Sequence, residues 1–188
     1  MPYECAKLRK HPMKVETFCK EGDETTMNLL IGDIRSIVDV EAPVSLDVIA
    51  RRLCDACGID KVTSKVLSRV EYCVKRGKFS FSESSTGKIF IYKSASDKGL
   101  VGDTYREVGD REITDVPIEE LAAAAIQITR VQYGMPEENL AKEVALVFGV
   151  KRAAVTSSAY KAALEGVKFA LEKKYLVVDD NGRLILVP

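Results

Sequence analysis

The sequence predicts an α+β, mainly helical fold in which two similar units follow one another, each with three helices and a β-hairpin. Three observations lead to this prediction. The chain repeats its pattern after about ninety residues, apolar residues recur with helical spacing in three stretches of each copy, and each copy ends in a glycine-containing hairpin signal. A chain of 188 residues is long enough for two cores, since one core needs roughly 50–100 residues.

The repeat is clearest where Val44–Lys61 is laid on Met135–Arg152 without gaps. Ala50 then meets Ala141, and Gly58 meets Gly149. Further along, after extra residues in the second copy, the alignment pairs Val70, Val74 and Phe79 with Val167, Leu171 and Leu176, and Gly87 with Gly182. Because pattern and order agree along the whole unit, a duplicated domain explains them better than chance.

Each helix of the first copy has an apolar stripe and an end signal. Ser45 is the expected N-cap of the second helix, and Gly58 suits a left-handed stop at its end. Short strands are expected over Lys78–Phe81 and Lys88–Tyr92. The inward residues are Met27, Leu30, Ile31, Ile34, Ile37 and Val38, then Ile49, Ala50, Leu53 and Cys57, then Val66, Leu67, Val70, Cys73 and Val74.

The second copy repeats these signals. Pro117 opens its first helix, Gly149 stops its second, and Asn181-Gly182 predicts a hairpin turn between strands at 176–178 and 183–187. The inward residues are Ile118, Leu121, Ala125 and Ile128, then Leu140, Ala141, Val144 and Phe148, then Tyr160, Ala163, Leu164, Val167 and Leu171.

A helix, a helix-turn-helix and a β-hairpin in this order are typical of a winged helix, here expected in tandem. We place winged helix 1 at 26–94 and winged helix 2 at 117–188. Residues 95–116 form an acidic connector, since eight acidic and three basic residues lie between Asp97 and Glu120. Residues 1–25 have no clear period and are interpreted as a leader that continues from an upstream domain.

Composition excludes several classes of protein. No apolar run approaches the roughly 18–20 residues of a membrane span, and the start of the chain has no apolar signal-peptide centre. The five cysteines have no framework spacing, so we expect reduced thiols in a cytoplasmic protein. Because 28 basic and 28 acidic residues cancel, any nucleic-acid site must come from segregated charge.

The sequence shows no catalytic constellation, so we expect no enzyme activity, cofactor or metal in this chain. His11 stands alone in a polar stretch and is interpreted as solvated. Cys54 and Cys57 form a C-x-x-C pair but lack a second ligand pair, which favours core cysteines over a metal or redox site. Neither Gly77-Lys78 nor Gly87-Lys88 fits a phosphate-binding loop.

Basic residues concentrate near both third helices, where a winged helix meets DNA. From Lys61 to Lys78 the net charge is +5, and from Lys151 to Lys174 it is +4. Lys65 and Arg69, one helical turn apart, are expected to share a solvated outer face that neutralises phosphates. The predicted nucleic-acid-binding residues are Lys61, Lys65, Arg69, Lys75, Arg76, Lys88, Lys151, Arg152 and Lys161.

A role without nucleic acid stays open at this point. Surface helices are often rich in lysine and arginine for solubility, and many winged helices dock on proteins. Neither third helix carries an obvious set of side chains for reading base edges. Asp179 and Asp180, at the tip of the second hairpin, would repel a phosphate. The alternative is therefore a protein-interaction module.

Two stretches resemble a known family. APVSLDVIARRLCDACGIDKVTSKVLSRV (residues 42–70) and ITDVPIEELAAAAIQITRVQYGMPEENLAKEVALVFGVKR (residues 113–152) are similar to a domain of unknown function at the C-terminus of large bacterial helicase-like proteins. Those proteins carry a superfamily-one helicase core and a domain resembling very-short-patch repair endonucleases. The resemblance, over roughly residues 25–188, implies an accessory module of a DNA-processing ATPase. The partners of such a module would be DNA, bound with weak sequence specificity, and the helicase and nuclease domains of the parent protein. A second copy of the chain is a further candidate partner. In the alternative, the protein-interaction module would dock on the ATPase core or on an oligomeric partner.

Overall fold

The structure, a computed structural model, describes residues 1–187 and divides into two compact units. The N-terminal unit is Glu4–Lys98. The C-terminal unit comprises Met1–Tyr3 and the chain from Gly99 onward. Within the described residues, seven α-helices make up about half of the chain, and five short strands form two small antiparallel sheets. The predicted α+β, mainly helical class is therefore confirmed.

Three helices and a hairpin surround the core of the N-terminal unit. The helices are α2 (Glu24–Glu41), α3 (Leu46–Cys57) and α4 (Ser64–Arg76), and a four-residue helix, α1 (Val15–Phe18), precedes them. Side-chain caps begin the three longer helices, because Asp23, Ser45 and Thr63 each accept a hydrogen bond from a backbone N–H three residues later. The predicted N-cap at Ser45 is thus confirmed.

A three-stranded sheet closes this unit. The strands are β1 (Val44–Ser45), β2 (Ser80–Glu83) and β3 (Ile89–Tyr92), in the order β1-β3-β2, and all neighbours are antiparallel. The first strand of the hairpin begins two residues later than predicted. Lys78 takes a left-handed φ of 57°, and the Phe79 N–H bonds back to the Val74 carbonyl, so both residues still belong to the end of α4.

Residues 4–25 pack on the core of the N-terminal unit. The His11 and Met13 N–H groups donate to the Ala56 and Cys57 carbonyls at 3.0 and 2.9 Å. Phe18 is fully buried. The interpretation of His11 as a solvated side chain is wrong, because its Nε2 lies 2.9 Å from Asp33 Oδ2 and its side chain is only 19% exposed.

Glu41 links residues 4–25 to α3 through hydrogen bonds. It is fully buried, and its Oε1 accepts hydrogen bonds from the Ala6 N–H at 2.9 Å and from Arg52 Nε at 3.2 Å. A buried carboxylate is tolerated when charged and neutral donors satisfy it in this way.

The C-terminal unit has the same order of elements. It contains α5 (Ile118–Gln132), α6 (Glu137–Val147), α7 (Ser158–Glu172) and a hairpin of β4 (Leu176–Val178) and β5 (Leu184–Leu186). The predicted hairpin is therefore confirmed. Its second strand makes an antiparallel bridge to Met135, just before α6, as β3 pairs with β1 just before α3. The predicted inward residues are buried or partly buried in both units.

Helix ends match between the two units. Gly58 and Gly149 both take a left-handed φ, and the next residues, Ile59 and Val150, donate to the carbonyls of Cys54 and Ala145. The ungapped alignment pairs these two glycines. At the ends of the third helices, Lys78 and Lys174 share a left-handed φ of 57° and 60°. Phe79 therefore corresponds to Tyr175, one residue earlier than the predicted partner Leu176.

The two hairpin turns have the same hydrogen bonds. Gly87 and Gly182 occupy the left-handed position, with φ of 78° and 73°, and donate to the carbonyls of Ser84 and Asp179. The next residue in each turn, Lys88 or Arg183, donates its N–H to the Ser84 hydroxyl or the Asp179 carboxylate. Of the predicted Asn181-Gly182 pair, only the glycine takes a positive φ.

Candidate nucleic-acid interface

Helix α4 presents a polar and aromatic outer face. Val66, Val70, Cys73 and Val74 face the core, which leaves the opposite side of the helix to solvent. Residues three or four apart lie on one face of a helix, so the outer face carries Lys65, Ser68, Tyr72 and Arg76. All four are exposed.

Most of the predicted basic residues are accessible to a ligand. In the N-terminal unit Lys61, Lys65, Lys75 and Arg76 are exposed, although Lys75 pairs with Glu71 on the same helix. Lys88, on the hairpin, is only half-buried, and its Nζ lies 3.0 Å from Asp47 Oδ2. An ion pair of this kind reduces the charge that Lys88 offers to a phosphate.

Arg69 does not lie on the solvated face that the sequence predicted. It is only 8% exposed, and its Nε donates to the Phe18 carbonyl at 3.2 Å. The prediction was wrong because α1 and the following loop, which showed no periodicity, cover this side of α4. Since the guanidinium is buried, Arg69 cannot be grouped with Lys65 as a second solvated phosphate contact.

Two residues of the outer face were missed by sequence reasoning. Tyr72 is 51% exposed, with the Arg69 guanidinium carbon 5.7 Å from its ring centroid, and Ser68 is exposed beside it. The spacing in the sequence could have identified both residues, because Tyr72 follows Lys65 by two helical turns and Ser68 by one. An exposed aromatic ring among cations provides a surface on which a sugar or base can stack.

A cleft of about 610 Å³ runs alongside this face. One wall is formed by Lys65, Ser68, Arg69 and Tyr72 of α4. The other is formed by the segment from Cys19 to the start of α2, including Glu21, Asp23 and Glu24. Asp23 already caps α2, and its hydrogen bonds from Thr26 lower the pKa of this carboxyl. The cleft therefore places a buried cation opposite acidic side chains.

The C-terminal unit presents its basic residues on a loop and a helix. Lys151 and Arg152 are exposed in the loop before α7, and Lys161 and Lys168 are exposed on α7. Asp179 at the hairpin tip accepts hydrogen bonds from the N–H groups of Asn181 and Arg183 at 2.9 and 2.8 Å. This carboxylate organises the turn and keeps negative charge at its tip.

The cysteines of the C-x-x-C pair are core residues. Cys54 and Cys57 are free thiols, buried on the inner side of α3, as Cys73 is on α4. The predicted burial is confirmed for all three. Desolvation raises the pKa of Cys54 and of Cys57 to about 11. Within residues 1–187 no cluster of three or more His, Cys, Asp or Glu side chains is placed to hold a metal ion.

The described chain is thus an α+β protein with an exposed, basic outer face on the third helix of its N-terminal unit. Residues 23–68 match a family model described as "Protein of unknown function (DUF3320)". The match spans α2, α3 and the start of α4, so the resemblance to a domain of unknown function is confirmed for this segment. No curated protein and no solved structure matches the chain. Among residues 1–187, no helix is both long enough and apolar enough to cross a membrane.

Proposed function

We propose that this chain is a tandem winged-helix module without catalytic activity of its own. It serves as the C-terminal accessory part of a DNA helicase/nuclease-type protein and contacts nucleic acid mainly through the phosphate backbone. The observation that carries the proposal is the outer face of α4, where Lys65, Ser68, Tyr72 and Arg76 lie together and exposed.

The matched geometry of the two units supports the winged-helix part of the proposal. Both units order their elements as helix, helix, helix and hairpin, and both end the second helix at a left-handed glycine. In both, the hairpin's second strand pairs with the residue that precedes the second helix. In a winged helix of this order the third helix is the element that enters the major groove.

The composition of the outer face supports backbone contact rather than base reading. Lys65 and Arg76 supply charge for phosphates, and Ser68 supplies a hydroxyl donor. None of the four residues is an Asn or Gln that could pair with an adenine edge, so bidentate base contact is limited to Lys65 or Arg76 on a guanine. We therefore expect weak sequence specificity and a strong dependence of the dissociation constant on salt.

The first test reverses the two exposed charges in the double variant Lys65→Glu/Arg76→Glu. Duplex binding by the full chain, measured by fluorescence anisotropy at low salt, should weaken roughly tenfold or more. The log–log salt slope should fall by roughly 0.9 for each phosphate that the variant no longer neutralises. Because both side chains are solvated, the free energy of unfolding should change by less than about 0.5 kcal/mol per site.

Two further variants serve as comparisons. The exchange Lys65→Arg/Arg76→Lys keeps the charge on the same face and should bind as the wild type does. The double variant Lys161→Glu/Lys168→Glu on α7 should have a smaller effect, because Asp179 and Asp180 oppose a phosphate at that hairpin. Equal binding by wild type and the α4 reversal, or no binding by wild type, would contradict the proposal.

A protein-docking role is the second candidate, and the C-terminal unit gives it some support. Val131 and Tyr133, at the end of α5, are 74% and 87% exposed, and Leu146 and Val147 are exposed at the end of α6. Exposed apolar residues are common singly, whereas these four form two pairs, each at the C-terminal end of a helix, and such pairs fit a partner surface. The partner would be the ATPase core of the parent protein or a second copy of the chain. Absence of duplex binding together with a stable complex of this kind would favour docking.

A further inference from the structure

Arg69 is buried, and no carboxylate of the described residues forms an ion pair with it. Its Nε donates to the Phe18 carbonyl, while its Nη2 is buried and has no hydrogen-bond partner among residues 1–187. A guanidinium carries five N–H donors, and among residues 1–187 only the Nε donor of Arg69 has an acceptor. Besides the Phe18 carbonyl, the guanidinium contacts the Tyr72 ring, whose centroid lies 5.7 Å from its carbon, but it has no anionic partner among residues 1–187. Burying a cation without an anionic partner is costly, which makes this arrangement unusual unless an acceptor binds there.

The open side of Arg69 is the cleft beside α4. Arg69 is one of the residues that line it, together with Lys65, whose ammonium is exposed, and the hydroxyl groups of Ser68 and Tyr72. Two cations and two hydroxyl donors are thus brought together on four residues of one helix. A planar guanidinium beside a lysine is the combination proteins use for phosphate oxygens.

The facing acids limit how strong such a site can be. Glu21 and Glu24 are exposed, whereas Arg69 is more than nine-tenths buried, so Arg69 lies deeper in the cleft than either acid. Asp23 is bound to Thr26 as the cap of α2. Within the part of the chain that the structure describes, neither glutamate forms an ion pair with Arg69.

We propose that the cleft binds a phosphate group, held by the buried Arg69 and the exposed Lys65. The site is a ligand site in its own right and does not require the duplex binding proposed above. The phosphate could be inorganic phosphate, a mononucleotide phosphate or the terminal phosphate of a nucleic-acid strand, all of which present the same oxygens.

The test is a titration of the full chain with sodium phosphate at constant ionic strength. Binding is measured from the NMR chemical shifts of the α4 amides, and a titration with sodium chloride is the reference. Arg69→Met keeps the length of the side chain without its charge, and it should weaken phosphate binding roughly 10- to 100-fold, as expected when charge-assisted hydrogen bonds are removed. Lys65→Gln should weaken it roughly threefold, because its contact is solvated.

A pair of substitutions that should tighten phosphate binding makes the test independent of folding. Glu21→Gln/Glu24→Gln removes two repelling charges and should strengthen phosphate binding roughly threefold per site. A gain of affinity cannot arise from a damaged fold. If the glutamate variants and Lys65→Gln all bind phosphate as the wild type does, or if Arg69→Met does so while folded, the proposal is overturned.

The source of the phosphate is decided by three probes. Inorganic phosphate is the first. Adenosine 5′-monophosphate is compared with adenosine, and a 5′-phosphorylated single strand with the same strand ending in a hydroxyl. Tighter binding of the phosphorylated member of each pair supports the site, and equal binding within both pairs overturns it. Phosphate binding without duplex binding would overturn only the proposed function, and duplex binding without phosphate binding only this inference.

Discussion

Cys54 and Cys57 show how burial decides the chemistry of a side chain. They lie on the inner side of α3, next to apolar residues of the N-terminal core, and neither has a metal or disulfide partner within the described chain. Removing a thiolate from water costs free energy, so desolvation is the main cause that raises the pKa of each thiol from 9.0 to about 11. A C-x-x-C pair in this environment is a poor nucleophile.

Thiol reactivity should differ between the exposed Cys5 and the four buried cysteines. At pH 8 a water-soluble disulfide reagent should modify the exposed Cys5 rapidly and the four buried cysteines only after denaturant is added. Rapid labelling of two or more thiols in the folded chain would contradict the prediction. A Cys5→Ser variant should then show no rapid phase.

The same pKa values predict how stability depends on pH. Between pH 9.0 and about 11 the unfolded chain releases the protons of Cys54 and Cys57 while the folded chain keeps them. The unfolded state then binds fewer protons, so the free energy of unfolding should fall as the pH rises through this window. Urea denaturation checks this: the stability advantage of the wild type over Cys54→Ala/Cys57→Ala should shrink from pH 9 to pH 11. An advantage that stays constant would contradict the assignment.

Helix α7 illustrates how one small residue sets the distance between two helices. A Cβ added at Gly166 would meet the Leu121 Cβ and would lie 2.9 Å from the Leu121 carbonyl carbon of α5. The glycine is required by this close approach, since its backbone is helical and needs no special φ. Gly32 on α2 is also helical, but an added Cβ there would meet no atom within 4 Å.

These two glycines make a matched pair of substitutions. Gly166→Ala should lower the free energy of unfolding by about 1–3 kcal/mol, because the methyl group forces α5 and α7 apart. Gly32→Ala should raise it by roughly 0.5–1 kcal/mol, because alanine restricts the unfolded chain and favours the helix. Urea denaturation of the two variants measures both values. A stabilising Gly166→Ala would show that the helix contact adjusts without strain.

At the scale of the molecule, the first twenty-five residues contribute side chains to both units. Residues 4–25 contribute Phe18 and Cys19 to the N-terminal core. Tyr3 belongs to the C-terminal unit, where its ring centroid lies 3.8 Å from the Arg111 guanidinium carbon. Each unit therefore depends on part of the segment that carries no periodic signal.

Two fragments would measure what the leader contributes. Residues 4–98 contain a complete apolar core and should unfold cooperatively on their own. Residues 26–94, the boundaries expected from the sequence, lack Phe18 and the Ala6 donor of Glu41. They should be less stable by at least about 3 kcal/mol, the typical cost of losing a buried phenylalanine. Circular dichroism during thermal unfolding checks both fragments, and equal stability would show that the leader is dispensable.

The sequence by itself determined six of the seven helices in the described residues, their inward faces, the helix stop at Gly58 and its equivalent at Gly149, and the second hairpin. These features depend on spacing, caps and turn residues that act within a few positions of the chain. Only the tertiary structure decided that Arg69 is buried while Lys65 stays solvated, that His11 meets Asp33, and that Gly166 lies against Leu121. Burial of a charged side chain depends on which distant segment covers it, and here that segment has no repeating pattern from which its position could be inferred.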